Sequence, residues 1–338
     1  MDYAIVWFVI LMVLLMGYAI LDGFDLGVGI LHPLADGDRD RRIVLNSIGP
    51  LWDGNEVWLV TFGGALFAAF PVAYATILSG LYLPVMVVLC GLVGRAISIE
   101  FRSKSRSPFW RGYWDFSFFL SSLTVTFVFG MALGNVVRGL PLRGDLQYGG
   151  GLADLVDPFS VAVGLLAVAG AAMHGANYLL LKTEGALHQQ VRRWAWGSFA
   201  AFAVLYLVVS ALAITTLPHA TDNFEHLPIA WVVVVLNVLA VANIPRALHQ
   251  DRPGFAFVSS CCTIAALTFL VAVALFPNLV VSSVDPANHL EIHRAASSVG
   301  TLHRMFIIAL IGMPLVATYT TVVYWVFRGK TRLDETSY

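Results

Sequence analysis

Ile48 to Pro71 reads IGPLWDGNEVWLVTFGGALFAAFP. From Trp52 to Phe70 the run is long enough to cross a bilayer as a helix, which takes about 20 mostly apolar residues. It nevertheless opens on polar ground, with Asp53, Asn55 and Glu56 between Trp52 and Trp58. Asp53 and Glu56 are three residues apart and so share one helical face. A carboxylate in or near hydrocarbon is costly unless it meets water, a partner or a proton. Two readings follow. In one, the helix starts at the membrane interface, Asp53 is its N-terminal cap and the tryptophans are belt residues. In the other, the carboxylates belong to a functional polar site.

The composition sets the class. Of 338 residues, 58% are hydrophobic and only 12% charged, and the mean hydropathy is +0.78. A soluble chain is nearer a quarter charged, so this is an all-α, polytopic membrane protein. The net charge of -1 gives no reason to expect nucleic acid as a partner. Cys90, Cys261 and Cys262 all lie in apolar runs with no CxxC spacing, so neither a metal site nor a covalent haem attachment is expected. The N-terminal run lacks a basic region and a small-residue cleavage site, and reads as a retained first span.

Nine apolar spans can be drawn: Tyr3–Leu31, Trp52–Phe70, Ala75–Ile99, Trp114–Val137, Pro158–Leu181, Trp194–Leu217, Leu227–Ile244, Phe255–Phe276 and Leu302–Phe327. Pro84 and Pro314 fall inside spans and predict kinks. No loop is long enough for a soluble domain, so residues 1–338 read as one transmembrane helical domain. Of the 20 lysines and arginines, fifteen fall on one side, among them Arg39, Arg41, Arg42, Arg102 and Arg328. Four fall on the other, namely Arg138, Arg143, Arg294 and Arg304, and Arg95 lies within a span. The positive-inside rule then places the N-terminus outside and the C-terminus in the cytoplasm.

With that orientation, polar groups on four spans come to similar depth on the cytoplasmic side. These are Asp22 and Asp25; Asp53, Asn55 and Glu56; Arg95 and Glu100; and His174, Asn177 and Tyr178. Belt residues would show no such preference for one side, so a hydrated, protein-facing polar site is expected. Arg95 is the natural counter-ion of one of the aspartates, and the sequence leaves open which. Gly23 and Gly27 form a GxxxG pair suited to close helix approach. The same run also allows a locally unwound helix near Asp22 and Asp25, as in some transporters. A membrane haem needs axial ligands within spans. Of nine histidines only His174 clearly lies in one, and it reads as a hydrogen-bonded core residue rather than a ligand.

Five stretches carry a resemblance. LDGFDLGVG in span 1, GPLWDGNEVWLVTFGGALFAAFP in span 2, GRAISIEFRSK after span 3 and HGANYLLLKTEGALHQQVRR at the end of span 5 resemble subunit II of the cytochrome bd-type quinol oxidases. So does FPNLVVSSVDPANHL before the last span. The resemblance implies nine transmembrane helices in a prokaryotic plasma (inner) membrane. It implies a heterodimer with a subunit I that carries haems b558, b595 and d, and a complex that oxidises quinol and reduces dioxygen to water with cytoplasmic protons. This chain would then bind no haem and hold no catalytic residue of its own. The family also allows a small accessory subunit, and a quinone or lipid bound in subunit II. Carried over by motif, Asp53, Asp22 and Asp25 are candidates for a proton path, with Glu56 beside them. Arg95, Glu100, Asn55, Trp52 and His174 are candidate charge partners or structural polar residues. The alternative is an ion-coupled secondary transporter using the carboxylates of spans 1 and 2.

Overall fold

The computed structural model describes residues 1–217, 222–224 and 227–333. Helix α1 runs Tyr3–Leu31, and Asp2 caps it by accepting from the amides of Ala4 and Ile5. A short turn at His32–Leu34 leads into α2, Gly37–Ile48. Helices α3 (Trp52–Ala69), α4 (Pro71–Gly80), α5 (Tyr82–Arg102) and α6 (Pro108–Arg138) follow. Then come α7 (Pro158–Lys182), α8 (Gly185–Thr216), α9 (Pro228–His249) and α10 (Pro253–Leu275). A small antiparallel pair, β1 (Asn278–Val280) and β2 (Leu290–Glu291), precedes one turn of helix, α11 (Ile292–Ala295), and the last helix, α12 (Val299–Val326). Proline opens α4, α6, α7, α9 and α10, where its missing N–H costs no helical bond.

Among the described residues eight helices are long and apolar enough to cross a membrane: α1, α5, α6, α7, α8, α9, α10 and α12. The ninth expected span is α3. It is a continuous helix of 18 residues, about 27 Å at ~1.5 Å per residue, and its polar first turn keeps it below the hydropathy of the others. The expected third span is corrected. Residues 75–99 are not one helix, because a break at Leu81 divides them between α4 and α5. Gly80 ends α4 against the ring of Tyr148. Pro84 therefore sits in the first turn of α5, where it kinks nothing, whereas Pro314 lies inside α12 as expected. The amphipathic α2 and the early starts of α6 and α8 are also new.

Helix α1 is the hub. It packs against α3, α6, α7, α10 and α12. Its approach to α7 depends on Gly27 and Gly175. A Cβ on Gly27 would stand 1.8 Å from the carbonyl oxygen of Ala171, and one on Gly175 2.6 Å from the backbone of Gly27. Close packing is thus the role of Gly27, whereas a Cβ on Gly23 would meet only the His174 ring at 3.9 Å, and α1 passes through the run as an unbroken helix. Two apolar cores lie one at each end of the bundle. One gathers Phe24, Trp52, Ile99, Phe118 and Met173 with α2 and the ends of α7 and α9. The other gathers Trp7, Phe8, Phe70 and Leu140 with β1, β2 and α11.

Candidate functional site

Helices α1, α3 and α5 bring their polar side chains together inside the bundle. Asp22, Asp25 and Arg95 are all 0% exposed. Arg95 Nη2 donates to Asp22 Oδ1 at 2.7 Å and to Glu56 Oε1. The counter-ion left open by the sequence is therefore Asp22, and Glu56 shares the same guanidinium. Asp25 is held separately, accepting from Asn55 Nδ2 at 2.7 Å. Asn55 also donates to the carbonyl of Leu21 at 3.2 Å and accepts from Tyr324 Oη at 3.0 Å. Both carboxyls of the Arg95 cluster bond the one nitrogen, Nη2, while Nε and Nη1 are buried and meet no protein acceptor among the described residues.

The cluster is asymmetric. Asp22 and Arg95 are sealed, whereas the Glu56 side chain is 23% exposed. One turn earlier on α3, Asp53 is exposed. Asp53 is not a cap: the N-cap of α3 is Leu51 and no side chain bonds the free amides there. That reading of Asp53 is corrected. The reason is that the chain reaches α3 through a turn at Gly49–Leu51, so the helix begins one residue before the aspartate.

The other candidates fall outside this group. Trp52 is buried in the core beside α2. Glu100 stands with Lys104 at the end of α5, 3.4 Å away. His174 Nδ1 meets Ser260 Oγ at 2.7 Å and Nε2 meets the Ile20 carbonyl at 3.0 Å, and its ring stacks on Phe257 at 5.0 Å. Both ring nitrogens are engaged, so the arrangement does not fit an axial haem ligand. Tyr178 donates to the carbonyl of Ser47 and stacks on Phe24. His219 and His226 lie outside the described residues.

Sequence reading passed over two features. One is Tyr324, which the sequence sets in an apolar run between Val323 and Trp325. The other is a second polar node around Asp115, near the start of α6. Asp115 receives His32 Nε2 at 2.7 Å, Arg41 Nη1 at 3.0 Å and Arg102 Nε at 2.7 Å, and Arg102 also reaches Asp38 at 2.9 Å. The node ties the turn after α1 to α2, α5 and α6 at the arginine-rich end. The only signal for it in sequence is an aspartate at the second position of a predicted span.

The fold and this ion cluster define a multi-pass helical membrane protein with a buried arginine–carboxylate site. The model of one family, cytochrome bd terminal oxidase subunit II, matches residues 3–327. Cytochrome bd-I ubiquinol oxidase subunit 2 of Escherichia coli (strain K12) is 34% identical over 368 residues, covering 99% of this chain and 97% of that one. Cytochrome bd ubiquinol oxidase subunit 2 of Bacillus subtilis (strain 168) is 34% identical over 335 residues, covering 97% of each. A chain of the bd oxidase structure from Geobacillus thermodenitrificans shares the fold, with a TM-score of 0.79 at 18% identity, over 97% of this chain and 99% of that one. The chain belongs to the cytochrome bd terminal oxidase subunit II family. Its relatives are subunits of an oxidoreductase, and the transporter reading finds no support: α1 has no break, and the family is a different one.

Proposed function

We propose that this chain is the haem-free subunit II of a quinol:oxygen oxidoreductase, set in a prokaryotic plasma membrane with its arginine-rich end in the cytoplasm. It supports a haem-bearing subunit I and contributes a cytoplasm-side proton path to the reduction of dioxygen. Quinol and dioxygen are substrates of the complex, and the haems b558, b595 and d belong to subunit I. The observation that carries the proton path is the sequence of exposures Asp53, Glu56, Asp22: exposed, partly exposed, sealed. Three carboxyl groups, Asp22, Asp25 and Glu56, share this interior with one guanidinium, which bonds Asp22 and Glu56. Charge balance in a water-poor interior calls for further positive charge, and protons arriving by way of Asp53 and Glu56 supply it.

Asp53→Asn tests the path. Asp53 makes no capping bond, so the amide costs α3 only the interaction of one charge with the helix dipole, about 0.3–1 kcal/mol. The variant complex assembles with full haem content and loses most quinol oxidase turnover. Normal turnover and proton uptake in an assembled variant would remove the path from α3.

A further inference from the structure

The two oxygens of Asp25 stand in different surroundings. Oδ2 accepts from Asn55. Oδ1 is buried and meets no protein donor among the described residues. What fixes this difference is Asn55, and what fixes Asn55 is a third helix. The Asn55 amide points both of its donor contacts at α1, to Asp25 Oδ2 and to the Leu21 carbonyl. Turned over, its oxygen would face two acceptors, so this orientation is set by the partners themselves. Its carbonyl is then left facing α12, where Tyr324 donates to it at 3.0 Å. Tyr324 lies close to the end of α12 and packs edge-on to Phe24, at 6.4 Å between ring centroids.

The donors therefore point one way, from Tyr324 to Asn55 to Asp25. Such an array polarises along its length and favours negative charge at its accepting end. An amide has no titrating proton to hand on, so the chain orients Asp25 without conducting to it. We infer that Tyr324 is a positioning residue: through Asn55 it holds Oδ2 of Asp25 as a fixed acceptor and leaves Oδ1 as the oxygen that exchanges protons. This rests on reading the buried cluster as a proton path. It adds a role for the last helix, whose tyrosine touches no carboxylate of the path directly.

The test uses the assembled oxidase. Tyr324→Phe keeps the ring and its contact with Phe24 and removes only the hydroxyl. Infrared difference spectra on reduction and reoxidation report the Asp25 carboxyl stretch, assigned by its loss in Asp25→Asn. With haem content intact, Tyr324→Phe shifts the Asp25 band and lowers turnover about three- to tenfold, the worth of one hydrogen bond. Asn55→Ala shifts the same band further. A merely structural tyrosine would lower assembly without moving the band of a residue it does not touch. An unmoved band and parental turnover in Tyr324→Phe, with Asp25→Asn slow, overturn the positioning role alone. If Asp25→Asn itself turns over and takes up protons like the parent, the proton-path reading falls and this inference with it.

Discussion

Replacing Arg95 by glutamine is the most informative perturbation of stability. Arg95 is fully buried and holds two carboxyl groups, Asp22 at 2.7 Å and Glu56. Removing one partner of a buried pair leaves the other charge uncompensated, at a cost of about 3–5 kcal/mol. Arg95→Lys keeps the charge but draws the donor back from the place of Nη2, the one nitrogen that reaches both carboxyls, and costs about 1.5–3 kcal/mol, the worth of one charged hydrogen bond. Glu56→Gln costs less than either, because its side chain reaches water and Asp22 still pairs with Arg95. The assay is the temperature at which the purified complex loses its subunits and haem. The expected order is parent, Glu56→Gln, Arg95→Lys, Arg95→Gln, from most to least stable. Adding Asp22→Asn to Arg95→Gln should restore part of the loss, because the two residues share one interaction. An Arg95→Gln complex as heat-stable as the parent, with Arg95→Lys no different, would refute the account of this site as a buried ion cluster.

Gly27→Ala places a methyl group against the Ala171 backbone, which has no flexible end to yield. It should destabilise the complex by about 1–3 kcal/mol, while Gly63→Ala, with nothing within 4 Å, leaves thermal stability unchanged. Asp115→Asn takes the charge from an acceptor of three donors. It should loosen the end of the bundle, seen as faster proteolysis or amide exchange in α2 with the Arg95 region unaffected. His174→Ala removes contacts to Ser260 and Ile20 and should lower yield, yet every haem absorption band of the assembled complex should remain. Selective loss of one band would show that this chain ligates haem.

The spans were legible because a helix in hydrocarbon leaves a long apolar run whatever its neighbours are. The depth argument was legible too, since rise per residue converts position into height, and it brought Asp22, Asp25, Asn55, Glu56 and Arg95 to one level. Pairing was not legible. Asp22 and Asp25 are one turn apart on α1, and only the rotation of α5 decides that Arg95 meets the first. Glu100 and His174 share the depth but face other ways. The break at Leu81 was hidden because α4 and α5 are both apolar, so hydropathy runs across the gap. The Asp115 node was hidden for a different reason. Its donors come from residues 32, 41 and 102, three stretches whose convergence depends on where α2 folds back.

Helix α12 is anchored at its ends rather than along its length. Near its start, Trp7 donates to the Leu302 carbonyl at 2.9 Å and Ser297 to that of Ala68 at 2.7 Å. At its finish, Lys182 donates to the Phe327 carbonyl at 2.5 Å and Thr331 to that of Lys182 at 2.8 Å. Between these moorings Pro314 to Tyr319 are all exposed. The helix therefore works as a caliper, with its residue count as the setting. Substitutions in the exposed stretch leave both jaws in place. Inserting or deleting a single residue there turns Tyr324 by about 100° relative to the first mooring and shifts it by about 1.5 Å, which is enough to take its hydroxyl off Asn55.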